Sequence, residues 1–210
     1  MNQLKSITYV NAASIPFAKV ELDGNTLIIG ANGAGKTTVL RSALYFYGVH
    51  EDSALGINIR KKRGFKEYYF GELNSFIGFR YSNAYGNILV IAYRSGNTGV
   101  KFKFLVESKA IEDIDLFLNE RVARSPEELW KRLRALEYEL SDTVTTLSEY
   151  RSILYGHAGA AFKKYAFFDT KEDYGNFIHV LSNVFINSKL DASSIQKTIS
   201  NAIPGFEPID

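Results

Sequence analysis

The run Gly30-Ala31-Asn32-Gly33-Ala34-Gly35-Lys36-Thr37-Thr38 constrains this chain more than any other feature. Its first eight residues fill the pattern G-x-x-x-x-G-K-S/T, and that spacing has a physical reason. Glycines let a loop curl until successive backbone N–H groups point inward around an anion. An apolar, β-branched run at residues 26–29 precedes the loop, and an apolar-periodic segment at residues 36–47 follows it. This is the context of a buried strand, a loop and a helix whose positive end faces the same anion. In such a loop Lys36 reaches the β- and γ-phosphates of a nucleotide, and the Thr37 hydroxyl ligates Mg²⁺. The competing reading is a glycine-rich turn that binds nothing.

Composition limits what else the chain can be. With 46% hydrophobic and 23% charged residues, it is balanced for folding around a core, and neither disordered nor collagen-like. The absence of cysteine excludes disulfide frameworks and thiolate zinc sites. His50, His157 and His179 have no metal-ligand spacing. A net charge of +2 gives no bulk argument for nucleic acid. The longest apolar stretch, residues 88–93, falls far short of a membrane span, and the first residues lack the apolar core of a signal peptide. The expectation is a cytoplasmic protein with no membrane partner.

Periodicity predicts strands at residues 4–10, 18–22 and 26–29, the last buried and parallel. A helix is expected over 36–47 with Val39, Leu40, Ala43, Leu44 and Tyr47 on its apolar face, stopped by Gly48. Residues 48–74 lack clear periodicity and read as a long irregular segment. Three strands follow at 75–81, 88–94 and 100–106, the last half-buried and antiparallel. Ser125, Pro126 and Glu128 spell an N-cap, a first-turn proline and a capping-box acid. Leu129, Leu133, Leu136, Leu140, Val144 and Leu147 then recur as on one helix packed on the sheet. Further helices are expected over 174–185 and from an Asp191 cap through Ile203.

Hydrolysis needs more than a phosphate cradle: an acidic residue on a second strand must position magnesium. The only passable match to four apolar residues and Asp is Tyr165-Ala166-Phe167-Phe168-Asp169, and Thr170 rather than Glu follows it. No Leu-Ser-Gly-Gly-type signature occurs. Thr170-Lys171-Glu172-Asp173 has the form of a guanine-specificity motif, which leaves a GTP-binding switch as an alternative. The preferred reading of those four residues is a helix N-terminus with Thr170 or Asp173 as cap. A degenerate P-loop serving as an interaction platform is the third reading.

The run from Gly30 to Thr38 resembles the G-x-N-G-x-G-K-S/T-S/T form found in the ABC-type heads of SMC and RecF-like ATPases. Upstream, Ile7-Thr8-Tyr9-Val10-Asn11 is similar to the opening strand of that family, which ends in an asparagine near the nucleotide. Ala12, Ala13 and Ser14 replace the usual aromatic and basic residues after it. Segments 149–156 and 185–190 look similar to bacterial condensin-like ATPases associated with anti-plasmid or anti-phage defence. The resemblance implies an α/β P-loop NTPase of ABC head type, with a mixed sheet, an antiparallel meander and C-terminal helices. The chain would then be the N-terminal lobe of a split head over 1–210. Within it, 1–47 form the P-loop core, 48–110 a basic loop and meander, and 111–210 a helical part.

It further implies ATP and Mg²⁺ as ligands, held by Gly30, Asn32, Gly33, Ala34, Gly35, Lys36, Thr37, Thr38 and Asn11. Implied partners are a C-terminal lobe of the same protein, a second head, accessory subunits and DNA. Gln196 is the nearest candidate for a catalytic glutamine, beside the plainer reading of helix polarity. Arg60, Lys61, Lys62, Arg63 and Lys66, interleaved with Phe65, are candidate contacts to a DNA backbone, with a solvated loop as the equal alternative. Since signature and Walker B are not found, 210 residues read as a fragment of the implied machine.

Overall fold

The first two strands turn back on each other without a glycine. In the computed structural model, which describes residues 2–22, 26, 29, 31, 35–49, 64–96, 99–109 and 111–186, β1 (Gln3–Ala12) pairs antiparallel with β2 (Ile15–Glu21). Ala12 lies opposite Ile15, so Ala13 and Ser14 alone make the turn, both at positive φ (55° and 64°). Two-residue hairpins need that hand of turn to match strand twist. Pro16, with no N–H to give, is tolerated because β2 is an edge of the sheet. The strand therefore starts three residues before the predicted one at 18–22.

β3 (Phe76–Asn83), β4 (Gly86–Arg94) and β5 (Val100–Val106) complete a five-stranded sheet of order β2-β1-β3-β4-β5. The predicted meander is thus present. Every pairing is antiparallel among the described residues, where the sequence predicts a mixed sheet. Leu27 and Ile28, on which the parallel strand rests, lie outside the described residues. A register shift between Leu4 and Ser6 keeps Leu4 in the same core cluster as Ile7 and Tyr9.

Helices cover both faces. On one, α1 (Lys36–Phe46), α2 (Phe65–Tyr69) and α5 (Leu147–Leu154) pack on Tyr9, Phe79, Tyr81, Val90, Phe102 and Phe104. On the other, α3 (Asp113–Phe117) and α4 (Pro126–Ala135) cover Val10, Phe76, Leu89, Ile91 and Leu105. Aromatic rings carry much of the first face. Tyr69 stacks on Phe65 (4.1 Å), Phe65 on Tyr45 (4.4 Å), Tyr45 on Phe102 (5.9 Å) and Phe102 on Tyr150 (4.3 Å). The stack ties α2, α1, β5 and α5 together, each buried ring contributing about 2 kcal/mol or more.

Three predictions of local structure change. The irregular segment 48–74 contains α2, a short helix anchored by buried Phe65 and Tyr69. α1 is rotated from its predicted orientation: Thr38, Ser42, Leu44, Tyr45 and Phe46 are buried, while Leu40 is exposed and Val39, Ala43 and Tyr47 are half-buried. The two aromatic side chains outweigh the aliphatic stripe, and the two hydroxyls beside them find partners.

The leucine series from 129 to 147 is not one helix. α4 starts with the predicted capping box at Ser125 and Glu128 but stops at Ala135, and Glu137 takes φ 64°. The chain then runs along the edge of β5, where Val144 and Phe102 exchange two main-chain hydrogen bonds of 2.9 Å and Ser141 pairs with Phe104. Leu136 and Leu140 pack on one core and Val144 in the other, so the apolar residues are used without helical geometry. Covering the strand's open N–H and C=O groups takes precedence.

Candidate functional site

Gly35 caps the start of α1 at φ 84°, ψ 5°, a left-handed conformation that favours glycine. A Cβ placed there would meet none of the described residues within 4 Å. The first turn of α1 contains no acidic residue. Its leading N–H groups, which have no intrahelical acceptor, make a positive end. The Lys36 ammonium donates to the Ala31 carbonyl at 2.9 Å, across the loop. Thr37 is exposed. Backbone N–H groups, an ammonium and an exposed hydroxyl form a donor set suited to a magnesium-bound polyphosphate. Gly30, Asn32, Gly33 and Ala34 lie outside the described residues.

Beneath this helix end sits a layer of hydroxyls that sequence reasoning did not find. Thr38 is buried; its hydroxyl lies 3.3 Å from the Tyr68 hydroxyl, and its carbonyl accepts from Tyr69 Oη at 2.7 Å. One turn on, Ser42 shares a short hydrogen bond with Tyr9 on β1 and donates to the Val39 carbonyl at 2.8 Å. Burial pushes the Tyr9 phenol up to about 12, and burial pushes Tyr69 higher still, with Tyr9 and Tyr68 nearby adding to it. Both phenols therefore stay neutral donors at physiological pH. The signal in the sequence was the placement of Phe65, Tyr68 and Tyr69 three and four apart, the spacing of one helix face.

The remaining candidates are scattered. Asn11 lies near the end of β1 at φ 45°, and its carbonyl accepts from Ser75 Oγ at 2.6 Å. Lys66 is exposed on α2, but Phe65 beside it is core, 1% exposed, so it is no aromatic partner for a nucleic acid. Arg60, Lys61, Lys62 and Arg63 lie outside the described residues, as does Gln196.

The Walker B look-alike is not a strand. Tyr165 ends a 3₁₀ turn (Ala160–Tyr165), and the Phe167 and Phe168 N–H groups both donate to the Leu154 carbonyl at 2.8 Å. Four apolar residues here serve to cap α5 and fill the core, leaving Asp169 exposed. Thr170 to Asp173 open α6 (Lys171–Ile186), with Thr170 Oγ1 accepting the Asp173 N–H at 3.0 Å. That is the preferred helix-cap reading. Among the described residues no group of three or more His, Cys, Asp or Glu side chains could hold a metal.

A separate groove, of about 770 Å³, opens along the other end of α1 between Ala43, Tyr47, Leu22 and Phe177. Asp169 and Asp173 line it and no cation does among the described residues, which is the wrong electrostatics for phosphate.

A family model described as protein of unknown function, DUF3584, matches residues 16–157. The chain belongs to this family. The match spans β2, the Gly30–Thr38 run, α1 and α2, strands β3 to β5, and the helices through α5. The family's matched region thus includes the loop, the helix end and Tyr68 and Tyr69 beneath it, but not Tyr9. A search of curated proteins finds no match to the chain. Among the described residues no helix is long and apolar enough to cross a membrane.

Proposed function

We propose that this chain is the ATP-binding lobe of an SMC-like, ABC-type ATPase. The observation that carries this reading is the start of α1: a left-handed Gly35, a first turn without acids, and Lys36 and Thr37 leading the helix. The family name's association with SMC-like proteins lends further support. In this reading the helix end and Lys36 hold the β- and γ-phosphates, and Thr37 ligates magnesium. ATP bound with magnesium supplies the phosphoryl chemistry; the lobe binds and orients it.

A C-terminal lobe of the same protein and a second head, with accessory subunits, complete the hydrolytic site in this proposal, and head engagement couples to DNA binding or movement in the cytoplasm. Genome maintenance and defence against plasmids or phages are the settings proposed for that activity. Lys66 and the basic run before it are the proposed DNA contacts. The guanine-reading alternative loses ground because Thr170 and Asp173 are spent on capping α6.

Titration of the chain with a fluorescent ATP analogue and magnesium tests the reading. Lys36→Ala is expected to weaken binding at least tenfold, and excess ATP to displace the probe more readily than GTP does. Undiminished binding by Lys36→Ala would refute it.

A further inference from the structure

We propose that Tyr68 and Tyr69 are positioning residues for the nucleotide site, coupling occupancy of the α1 N-terminus to the placement of α2. The inference rests on the reading of that helix end as a phosphate site. Thr38 is the third residue of α1, on the turn whose N–H groups face the proposed phosphates. Two consecutive residues of α2 hold it: Tyr69 Oη by donating to its carbonyl at 2.7 Å, Tyr68 Oη at 3.3 Å from its hydroxyl. α2 is in turn fixed by Phe65, stacked between Tyr45 and Tyr69.

The direction of the chain of hydroxyls follows from what a phosphate can do. A threonine hydroxyl has one proton to give and two lone pairs. Phosphate oxygens without protons only accept, so in this proposal the Thr38 hydroxyl donates to one of them and accepts from Tyr68. Tyr68 thereby orients the Thr38 proton outward. At 3.3 Å the Tyr68–Thr38 bond is long against the usual ~2.7–2.8 Å for hydroxyl pairs. Polarising the Thr38 hydroxyl with an anion strengthens its acceptor side, shortening this bond and steadying α2. By linkage, any restraint on α2 changes nucleotide affinity by the same factor.

The test is a double-variant cycle on affinity for magnesium and a fluorescent ATP analogue, using Tyr68→Phe and Thr38→Val in the whole chain. Tyr68 is only half-buried, so Tyr68→Phe leaves the core intact. It is expected to weaken binding by about two- to tenfold while Thr38 is present, and to have no effect once Thr38→Val has removed the hydroxyl. A second readout uses no tyrosine variant. Hydrogen exchange at the Tyr68 and Phe70 amides, which close α2 onto the Gly64 and Lys66 carbonyls, is expected to slow when nucleotide is added, and not to slow in Thr38→Val. Equal losses in both backgrounds, or exchange in α2 indifferent to nucleotide, overturn the coupling while leaving the phosphate site standing. Failure of the unsubstituted chain to bind nucleotide overturns both.

Discussion

The Tyr150 hydroxyl donates to the Phe46 carbonyl at 2.7 Å, joining α5 to the last residue of α1 across 104 positions of sequence. Both residues are fully buried. The final carbonyls of a helix have no intrahelical donor, and here a side chain supplies one. Tyr150→Phe keeps the ring and its stack on Phe102 but strands that carbonyl. The expected cost is about 2 kcal/mol, the desolvation of an unmade buried hydrogen bond. Urea unfolding should show a lower midpoint with an unchanged slope, since the surface exposed on unfolding is the same.

A second buried link joins β3 to the far face. Arg80 Nε pairs with Glu107 at 2.8 Å and its Nη1 with Asp113, whose other oxygen accepts from Thr8 at 2.8 Å. Arg80→Met would take the nearest cation from buried Asp113 and half-buried Glu107, leaving Lys19 at 3.8 Å from Asp113, at an expected cost of about 3 kcal/mol. Burial raises the Glu107 carboxyl above its ordinary range, and Arg80 pulls against that rise. Removing Arg80 lets it rise further. A raised folded value stabilises at low pH and is lost as pH climbs through it. The deficit of Arg80→Met should therefore grow as pH rises and shrink as pH falls, read by urea unfolding across a pH series. A pH-independent deficit would place the loss in packing instead.

What was legible in the sequence followed from local rules. Ser125, Pro126 and Glu128 announce a helix start that side-chain and main-chain atoms three residues apart can build alone. The alternation of Val100, Phe102, Phe104 and Val106 likewise needs only one buried face. The elements missed or misread have other origins. The hairpin at Ala13 and Ser14, and another at Glu120 and Arg121 between Leu118–Asn119 and Val122–Ala123, use positive φ without the glycine or asparagine that signals it. The 129–147 series fails because the strand edge at Phe102 and Phe104 claims the backbone of Ser141 and Val144. At the site, Lys36 and Thr37 were legible as a motif. Tyr68 and Tyr69 were not, because their role exists only once α2 folds against Thr38.

The two capping boxes make a prediction about acid. Glu149 accepts the Thr145 N–H at 3.0 Å and the Thr146 N–H at 3.2 Å, and Glu128 accepts the Ser125 N–H at 2.7 Å. Those backbone donors hold both carboxyls below the usual glutamate range. A depressed folded value stabilises above the unfolded one and is lost as pH falls through it. NMR titration should find Glu128 and Glu149 protonating below the usual glutamate range, with the first turns of α4 and α5 losing amide protection as they do. Glu149→Gln should remove that pH dependence from α5 alone. Protection in α5 that still fell with the same midpoint would assign the effect to another group.

Gly48, just past α1, takes φ 72°, and its N–H returns to the Tyr45 carbonyl at 2.9 Å. A Cβ there would stand 2.5 Å from Arg151 Cγ and 3.3 Å from the Tyr174 hydroxyl, which donates to the Tyr47 carbonyl at 3.0 Å. Gly48→Ala therefore meets two costs: about 2 kcal/mol for a left-handed non-glycine residue, and displacement of a side chain rooted on α5. The two can be separated. Arg151 Nε is buried with no hydrogen-bond partner, so truncating this side chain removes the obstruction without breaking a bond at that atom. In an Arg151→Ala background, Gly48→Ala should cost little more than the backbone share, with the Tyr174 hydroxyl at 3.3 Å still close. Thermal or urea unfolding of the four proteins gives the coupling directly. Additive losses would mean that Arg151 swings clear at no cost and that the left-handed turn alone requires glycine.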